Sequence, residues 1–366
     1  MSLIEEIAIA RKEIVADGYD MSFGELMNLY RDDEIVISPA FQRLFRWDES
    51  RKTRFIESLL LGIPIPPIFV FQREDGVWEL IDGLQRLSTV FEFAGILKDG
   101  DGSLRPSSGL EGTKMLQSFA NMAWESKDDG SADGIDKAIQ LAIKRVRIRV
   151  EILRQDSDPM AKYELFQRLN TGGESLSDQE VRNSIAVMID QTFYDWLASR
   201  AADANFLATI CQTEQAAMKQ STMELALRYF AFRLVPYKPG RDVNEYLDDA
   251  LVEIAQNIDR AREQDVFDRT FQLLNRHSGA GTFKKWDGFS FTGQFLMSVF
   301  EVVALGVSKN IDALESMGDP DLGDFIDRRR KELWADVRFT KNSGAGVRGT
   351  TRLRALLPIA EEYFRP

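Results

Sequence analysis

Trp78–Phe93, WELIDGLQRLSTVFEF, is the stretch whose reading decides the fold. Its first residues complete a hairpin: the apolar run Ile63–Phe71, IPIPPIFVF, turns at Glu74-Asp75-Gly76 and returns through Val77–Ile81. At Asp82-Gly83 the chain makes a tight turn, and helical spacing starts at once, predicting a helix from about Leu84 to Leu97. The first amides of such a helix point outward without partners and its dipole end is positive, so the turn is a natural anion site. Arg86, one turn in, adds a planar charged fork that suits phosphate. Asp82 is placed to hold a metal-bound water or a ribose hydroxyl, and Gln85 to orient water or a base edge. The competing reading is an ordinary strand-to-helix turn with a solvated arginine, and a motif this short does not separate the two.

Toward the N-terminus, Ser22 and Glu25 form a capping box that opens a short helix, and a short strand follows around Glu34–Ile37. Residues 49–62 have helical spacing, with Phe55, Leu59 and Leu60 on one side and Gly62 as the stop. Between strand and helix lies SPAFQRLFRW, residues 38–47, where Gln42, Arg43 and Arg46 stand among Phe41, Phe45 and Trp47. Cations beside aromatics hold phosphates or stack on bases. Equally, the aromatics are core anchors and the arginines pair with nearby acids.

Toward the C-terminus, residues 117–137 are polar and acidic and predict a loop or a marginal helix. KRVRIRVEIL, residues 144–153, alternates as a half-buried strand. Val146, Ile148, Val150 and Ile152 point inward; Arg145, Arg147, Arg149 and Glu151 point outward. That basic face is the first candidate for DNA contact, its alternative being a face paired with acids. From Asp158 onward the pattern is helical nearly to the end, which places a boundary near residue 155: a small α+β domain with a mixed sheet over 1–155, then a helical domain over 156–366. Across ELFQRLNTGGESLSDQEVRNSI, residues 164–185, a helix ends at Asn170, and Gly172 and Gly173 free backbone amides to approach a ligand. Ser177 and Glu180 then cap the next helix. A plain helix-to-helix turn explains the glycines as well.

The bulk composition excludes several classes. With 366 residues, 44% hydrophobic and 28% charged, the chain is long enough for two cores and too apolar for wholesale disorder. One cysteine, Cys211, excludes an internal disulfide framework and a cysteine-rich zinc site. One histidine, His277, excludes an intact His-Asn-His nuclease site and most zinc hydrolases. The first residues read as an amphipathic helix and not as a secretion signal, and no apolar run approaches the ~20 residues of a membrane span, so the expected compartment is the cytoplasm. A formal net charge of −12 opposes indiscriminate DNA binding but leaves room for a local basic patch.

Taken in order, the FQR-x-x-x-W loop, the IDG-x-QRL-S/T turn and F-x-RLNTGG-x-L-x-x-x-E-x-RN resemble the N-terminal domain of GmrSD-type modification-dependent restriction enzymes over roughly residues 20–190. The resemblance implies a ParB/sulfiredoxin-like fold and binding and hydrolysis of a nucleoside triphosphate with Mg²⁺ near an Asp-Gly-Gln-Gln-Arg signature, coupled to cleavage of modified or foreign DNA. Asp82, Gly83, Gln85 and Arg86 match that signature, and Leu84 replaces its first glutamine. Gln42 and Arg43 match the earlier motif; Asn170, Thr171, Gly172, Gly173, Arg182 and Asn183 match the later one. Asp82 and Gln85 then stand as catalytic candidates, and Gly83, Arg86, Gln42, Arg43, Arg46, Asn170, Thr171, Gly172 and Gly173 as nucleotide-binding ones.

Three functions follow. The first is a nucleotide-binding sensor or NTPase of a DNA restriction or anti-phage system, its nuclease supplied by a separate protein. The second is a non-catalytic ParB-like module that holds nucleotide or DNA. The third is a self-contained nuclease with an unrecognised site. Leu84 favours the second over the first and the lone histidine opposes the third, while assembly into a homo-oligomer is left open by the sequence.

Overall fold

The computed structural model describes residues 2–5, 16–37, 45, 47–126, 132–154, 161–170, 177–211, 221–344 and 346–366. The chain is α+β, and by packing it divides into two compact units, Met1–Ser175 and Leu176–Pro366.

The first unit is built on a five-stranded mixed sheet in the order β1–β7–β3–β4–β2. The strands are β1 (Ala16–Ser22), β2 (Ile35–Val36), β3 (Ile68–Gln72), β4 (Trp78–Asp82) and β7 (Arg147–Leu153). β3–β4 is the hairpin expected from IPIPPIFVF and VWELI, antiparallel with a register shift between Phe69 and Val70. β7 runs antiparallel to β1 and parallel to β3, so the most strongly alternating strand lies inside the sheet. Ile68, Val70, Leu80, Ile148 and Val150 are buried along it.

Among the described residues, the helices that pack in this unit include α1 (Phe23–Arg31), α2 (Glu49–Leu61), α3 (Leu84–Phe93), α4 (Lys137–Arg145) and α5 (Ala161–Asn170). Ser22 caps α1 by accepting Glu25 N–H at 3.2 Å, which is one half of the expected capping box, and α2 ends at Gly62 in the left-handed conformation, as the sequence predicts. α4 packs on α1 and on α2, and α2 on α3. Tyr30 of α1 stacks on Phe91 of α3 with ring centroids 4.4 Å apart.

Three expectations are corrected. Residues 117–137 hold a short 3₁₀ turn, Gln117–Phe119, and a two-strand ladder of β5 (Met122–Ala123) with β6 (Asp133–Gly134). Arg145 and Val146 do not belong to a strand: Arg145 is the last residue of α4 and Val146 its C-cap. α3 stops at Phe93 and not at Leu97, because Gly95 adopts a positive φ of 68°.

The second unit is mostly helical. It comprises α6 (Asp178–Ile189), α7 (Gln191–Ala201), α8 (Ala204–Ile210), α9 (Ser221–Leu234), α10 (Val243–Asn257), α11 (Arg260–Ser278), α12 (Met297–Lys309), α13 (Ile311–Glu315), α14 (Asp319–Glu332), α15 (Val337–Thr340) and α16 (Gly349–Tyr363). The continuous helical pattern over 243–277 breaks at Ile258, which is extended (φ −71°, ψ 133°), and Asp259 caps α11. Phe206, Tyr229, Phe230, Phe267 and Phe271 form its aromatic core, with centroid separations of 4.5–5.4 Å. Glu301 on α12 is fully buried and is held by both arms of Arg352 on α16, at 2.7 and 2.9 Å. Among the described residues no helix is long and apolar enough to cross a membrane.

Candidate functional site

The turn from β4 to α3 is built around Gly83. Its φ is +104°, and a Cβ there would stand 2.4 Å from Ile68 Cγ2 on the neighbouring strand. Both the backbone conformation and the closeness of β3 demand glycine. As the N-cap residue, Gly83 has no side chain with which to satisfy the amides of the first turn of α3. Arg86 Nη2 donates to Asp82 Oδ2 at 2.6 Å, with the two side chains 13% and 30% exposed, so carboxylate and guanidinium meet across the turn. Leu84 is buried, which turns the first position of the helix toward the interior. Gln85 Oε1 accepts the backbone N–H of Trp47 at 3.2 Å, tying the loop before α2 to the start of α3. Thus the structure joins two segments that the sequence offers separately.

Behind this contact lies a cluster whose aromatics, Phe45 and Trp47, the sequence offered as core anchors and whose ionic part it did not show. Trp47 meets Phe55 edge-on at 5.6 Å. Lys52 Nζ stands 4.9 Å from the Phe45 ring centre, and the Arg105 guanidinium 6.0 Å from it. Lys52 is buried and pairs with Glu92 Oε2 at 2.5 Å and Glu49 Oε1 at 2.9 Å. Burial works against its ammonium, but the two carboxylates outweigh that and hold the pKa above the ordinary lysine value. Nothing local in the sequence announces Glu92 as the partner; the sole signal was the place of Lys52 on the buried face of α2, three residues before Phe55 and seven before Leu59.

Asp82 pairs with Phe69, and Phe69 with Glu151, so the three stand in one row across the sheet. Asp82 and Glu151 are therefore separated by two strand spacings, roughly 10 Å. Further along β7, Arg147 and Arg149 are exposed. Arg149 Nε donates to Glu151 Oε1 at 3.0 Å, and Arg149 lies opposite Asp20 of β1. The bond to Glu151 raises its pKa above the usual arginine value against a small opposing effect of desolvation, with Asp20 and Asp17 adding to the rise. The acids that temper this face come from its own strand and from β1.

Gln42, Arg43, Arg46, Thr171, Gly172 and Gly173 lie outside the described residues. Asn170 closes α5, which packs on β4, the strand that delivers Asp82. From Ser177 onward the residues have a structural role in the second unit. Ser177 and Glu180 form the predicted capping box. Arg182 is 1% exposed and donates from Nε to Asp248 Oδ1 at 2.7 Å and from Nη2 to Asn244 Oδ1 at 2.9 Å, holding α6 to α10. Asn183 accepts from Gln179 Nε2 at 2.8 Å in the same interior. His277 lies in the last turn of α11, its Nε2 3.5 Å from Asp319 Oδ1.

Among the described residues no three His, Cys, Asp or Glu side chains converge on a point. Mg²⁺ is commonly held by one or two carboxylates together with the phosphates of its nucleotide, and the single carboxylate of Asp82 beside an uncapped helix start fits that donor set.

Fold and site define a small α+β domain organised around an Asp-Gly-x-Gln-Arg strand-to-helix turn, leading into a helical unit. Residues 23–187 match the family model of the GmrSD restriction endonuclease, N-terminal domain, and this segment of the chain belongs to that family. The match runs through the capping box and Arg182 into α6, and it links the chain to DNA restriction. No curated protein matches the chain.

Proposed function

We infer that the chain is the nucleotide-binding sensor of a DNA restriction system and acts with a separate nuclease. The observation that carries this reading is the start of α3: first-turn amides without a side-chain cap, Arg86 one turn in, and Asp82 beside it. A polyphosphate would be received by those amides and by the free edges of the guanidinium, while Asp82 would hold the Mg²⁺ brought by the nucleotide. Bound Mg²⁺ would supply charge neutralisation of the phosphates. Gln85 is positioned by its bond to Trp47 N–H, so occupancy of the turn would be felt by the loop before α2.

A second reading, a ParB-like module that binds nucleotide without turning it over, is favoured by Leu84. Where the family signature has its first glutamine, this chain buries an apolar side chain that can position no water. In either reading Arg145 and Arg147, exposed and without an ion pair among the described residues, form the first unit's DNA contact together with Arg149.

A binding screen of the four ribonucleoside triphosphates with Mg²⁺ tests the proposal, with Arg86→Ala as the control expected to abolish binding. Phosphate release by the wild type but not by Asp82→Ala selects the NTPase; binding without release selects the module. No binding of any triphosphate removes both. Cleavage of modified DNA by the isolated chain would replace them with the nuclease.

A further inference from the structure

In the second unit β8 (Lys285–Trp286) and β9 (Phe291–Thr292) form an antiparallel hairpin, a segment outside the family match. At its tip Phe289 is 94% exposed, more than any other large apolar side chain among the described residues. Single exposed apolar residues are ordinary; the construction around this one is not that of a slack loop. Asp287 Oδ1 accepts the backbone N–H groups of both Phe289 and Ser290 at 2.8 Å, and Asp287 N–H donates to Ser290 O at 3.1 Å. Gly288, with φ +106° at the first central position, supplies the conformation that a primed hairpin turn needs.

The base is anchored as firmly. Trp286 packs on Phe291 at 5.0 Å, Lys331 Nζ sits 4.9 Å from the Trp286 ring centre, and the Arg330 guanidinium lies 3.8 Å from that of Phe291. Arg330 in turn donates to Ser278 Oγ at 2.7 Å and to the carbonyls of Gly281 at 2.5 Å and Thr282 at 3.2 Å. Lys284 and Lys285 enter the hairpin with no ion pair among the described residues, while the carboxylate of Asp287 is engaged by the tip amides.

We propose that this hairpin is a DNA contact in which Phe289 stacks on an exposed base while Lys284 and Lys285 bear on the flanking phosphates. The neighbours of Phe289 choose the partner. Phe289 is flanked in sequence by Gly288 and Ser290, and the nearby aromatics Trp286 and Phe291 are packed on each other and on Lys331 and Arg330 at the base. A lone ring on a hairpin entered by two lysines therefore suits one base and its phosphates better than a protein groove. A preformed tip loses little conformational freedom on binding. The inference uses no residue of the β4–α3 turn, and its failure would leave the nucleotide reading untouched.

The test is fluorescence anisotropy of the full chain with a labelled single-stranded DNA of about 20 nucleotides and with the same sequence as duplex, over a salt series. The wild type should prefer the single strand. Phe289→Ala should weaken that binding about tenfold at unchanged salt dependence, and Phe289→Trp should retain it. Lys284→Glu with Lys285→Glu should flatten the salt dependence. Thermal melting of Phe289→Ala should match the wild type, since the ring buries nothing. Unaltered affinity of Phe289→Ala, absence of DNA binding at low salt, or Phe289-dependent binding to phosphatidylserine vesicles in place of DNA would each overturn the proposal.

Discussion

Arg86 and Asp82 neutralise each other across the strand-to-helix turn, Nη2 to Oδ2 at 2.6 Å. A guanidinium has five donors in a planar fork, so one edge can remain on the carboxylate while another meets a phosphate. An ammonium cannot divide itself in this way. Arg86→Lys should therefore weaken triphosphate binding by about tenfold or more, and Arg86→Ala should remove it. Calorimetric titration reads both variants, and undiminished binding by the alanine variant would move the nucleotide elsewhere.

Gly83→Ala tests the turn itself. The new methyl group would need both a backbone conformation disfavoured for alanine and space that Ile68 Cγ2 occupies 2.4 Å away. We expect a loss of about 2–4 kcal/mol in urea denaturation, from positive-φ strain together with overpacking. A change within about 0.5 kcal/mol, the range of an indifferent surface position, would reject this geometry.

Arg182 distinguishes an interior tie from a ligand-facing arginine. Its removal leaves Asp248 without its arginine inside the helical unit, so Arg182→Ala should cost about 3 kcal/mol or more. The double variant Arg182→Met, Asp248→Leu should recover much of that loss, because apolar side chains of similar volume can replace a buried ion pair. Urea titrations of the single and double variants give the coupling. Near-additive single effects would show that the two side chains act independently.

Acid should loosen the second unit through Asp190, the N-cap of α7. Burial raises its carboxyl, but hydrogen bonds from the Thr192 and Arg260 side chains and from the Phe193 and Thr192 amides outweigh this and bring the pKa down to about 2. A carboxyl whose folded pKa lies below its unfolded value of 3.8 stabilises the fold fully above that value and loses the contribution as pH falls toward about 2. With allowance for solvent screening the effect is about 1–2 kcal/mol. Stability curves of the wild type and Asp190→Asn should converge in that window and separate above it; parallel curves would exclude the carboxylate as the source.

Legibility followed the distance over which each feature is encoded. The Asp82–Gly83 turn, the stop at Gly62 and the Ser177–Glu180 box lie within a few residues of their causes and were read correctly. Arg145 was misread because its alternation with Val146 and Arg147 continues the strand pattern without a break, yet the α4 spacing from Lys137 extends through Arg145. The hairpin carrying Phe289 was overlooked because Phe291 and Thr292 stand shortly before a long apolar helix, inside the stretch from Asp158 onward whose pattern reads as helical nearly to the end. At the site, the Asp82–Arg86 spacing was visible, but Gln85 meeting the N–H of a residue thirty-eight positions earlier was not.

The sequence alone determined the α+β class, the strand-turn-helix around Gly83 and the helical character of the second unit, because hydrophobic period, caps and turn residues act on their immediate neighbours. Only the tertiary structure decided which charges meet: Lys52 with Glu92, Arg182 with Asp248, Arg260 with Asp190. An arginine looks the same in sequence whether it waits for a phosphate or is bonded to a distant carboxylate. The difference arises when the packing of whole helices brings the two ends of the chain segment together.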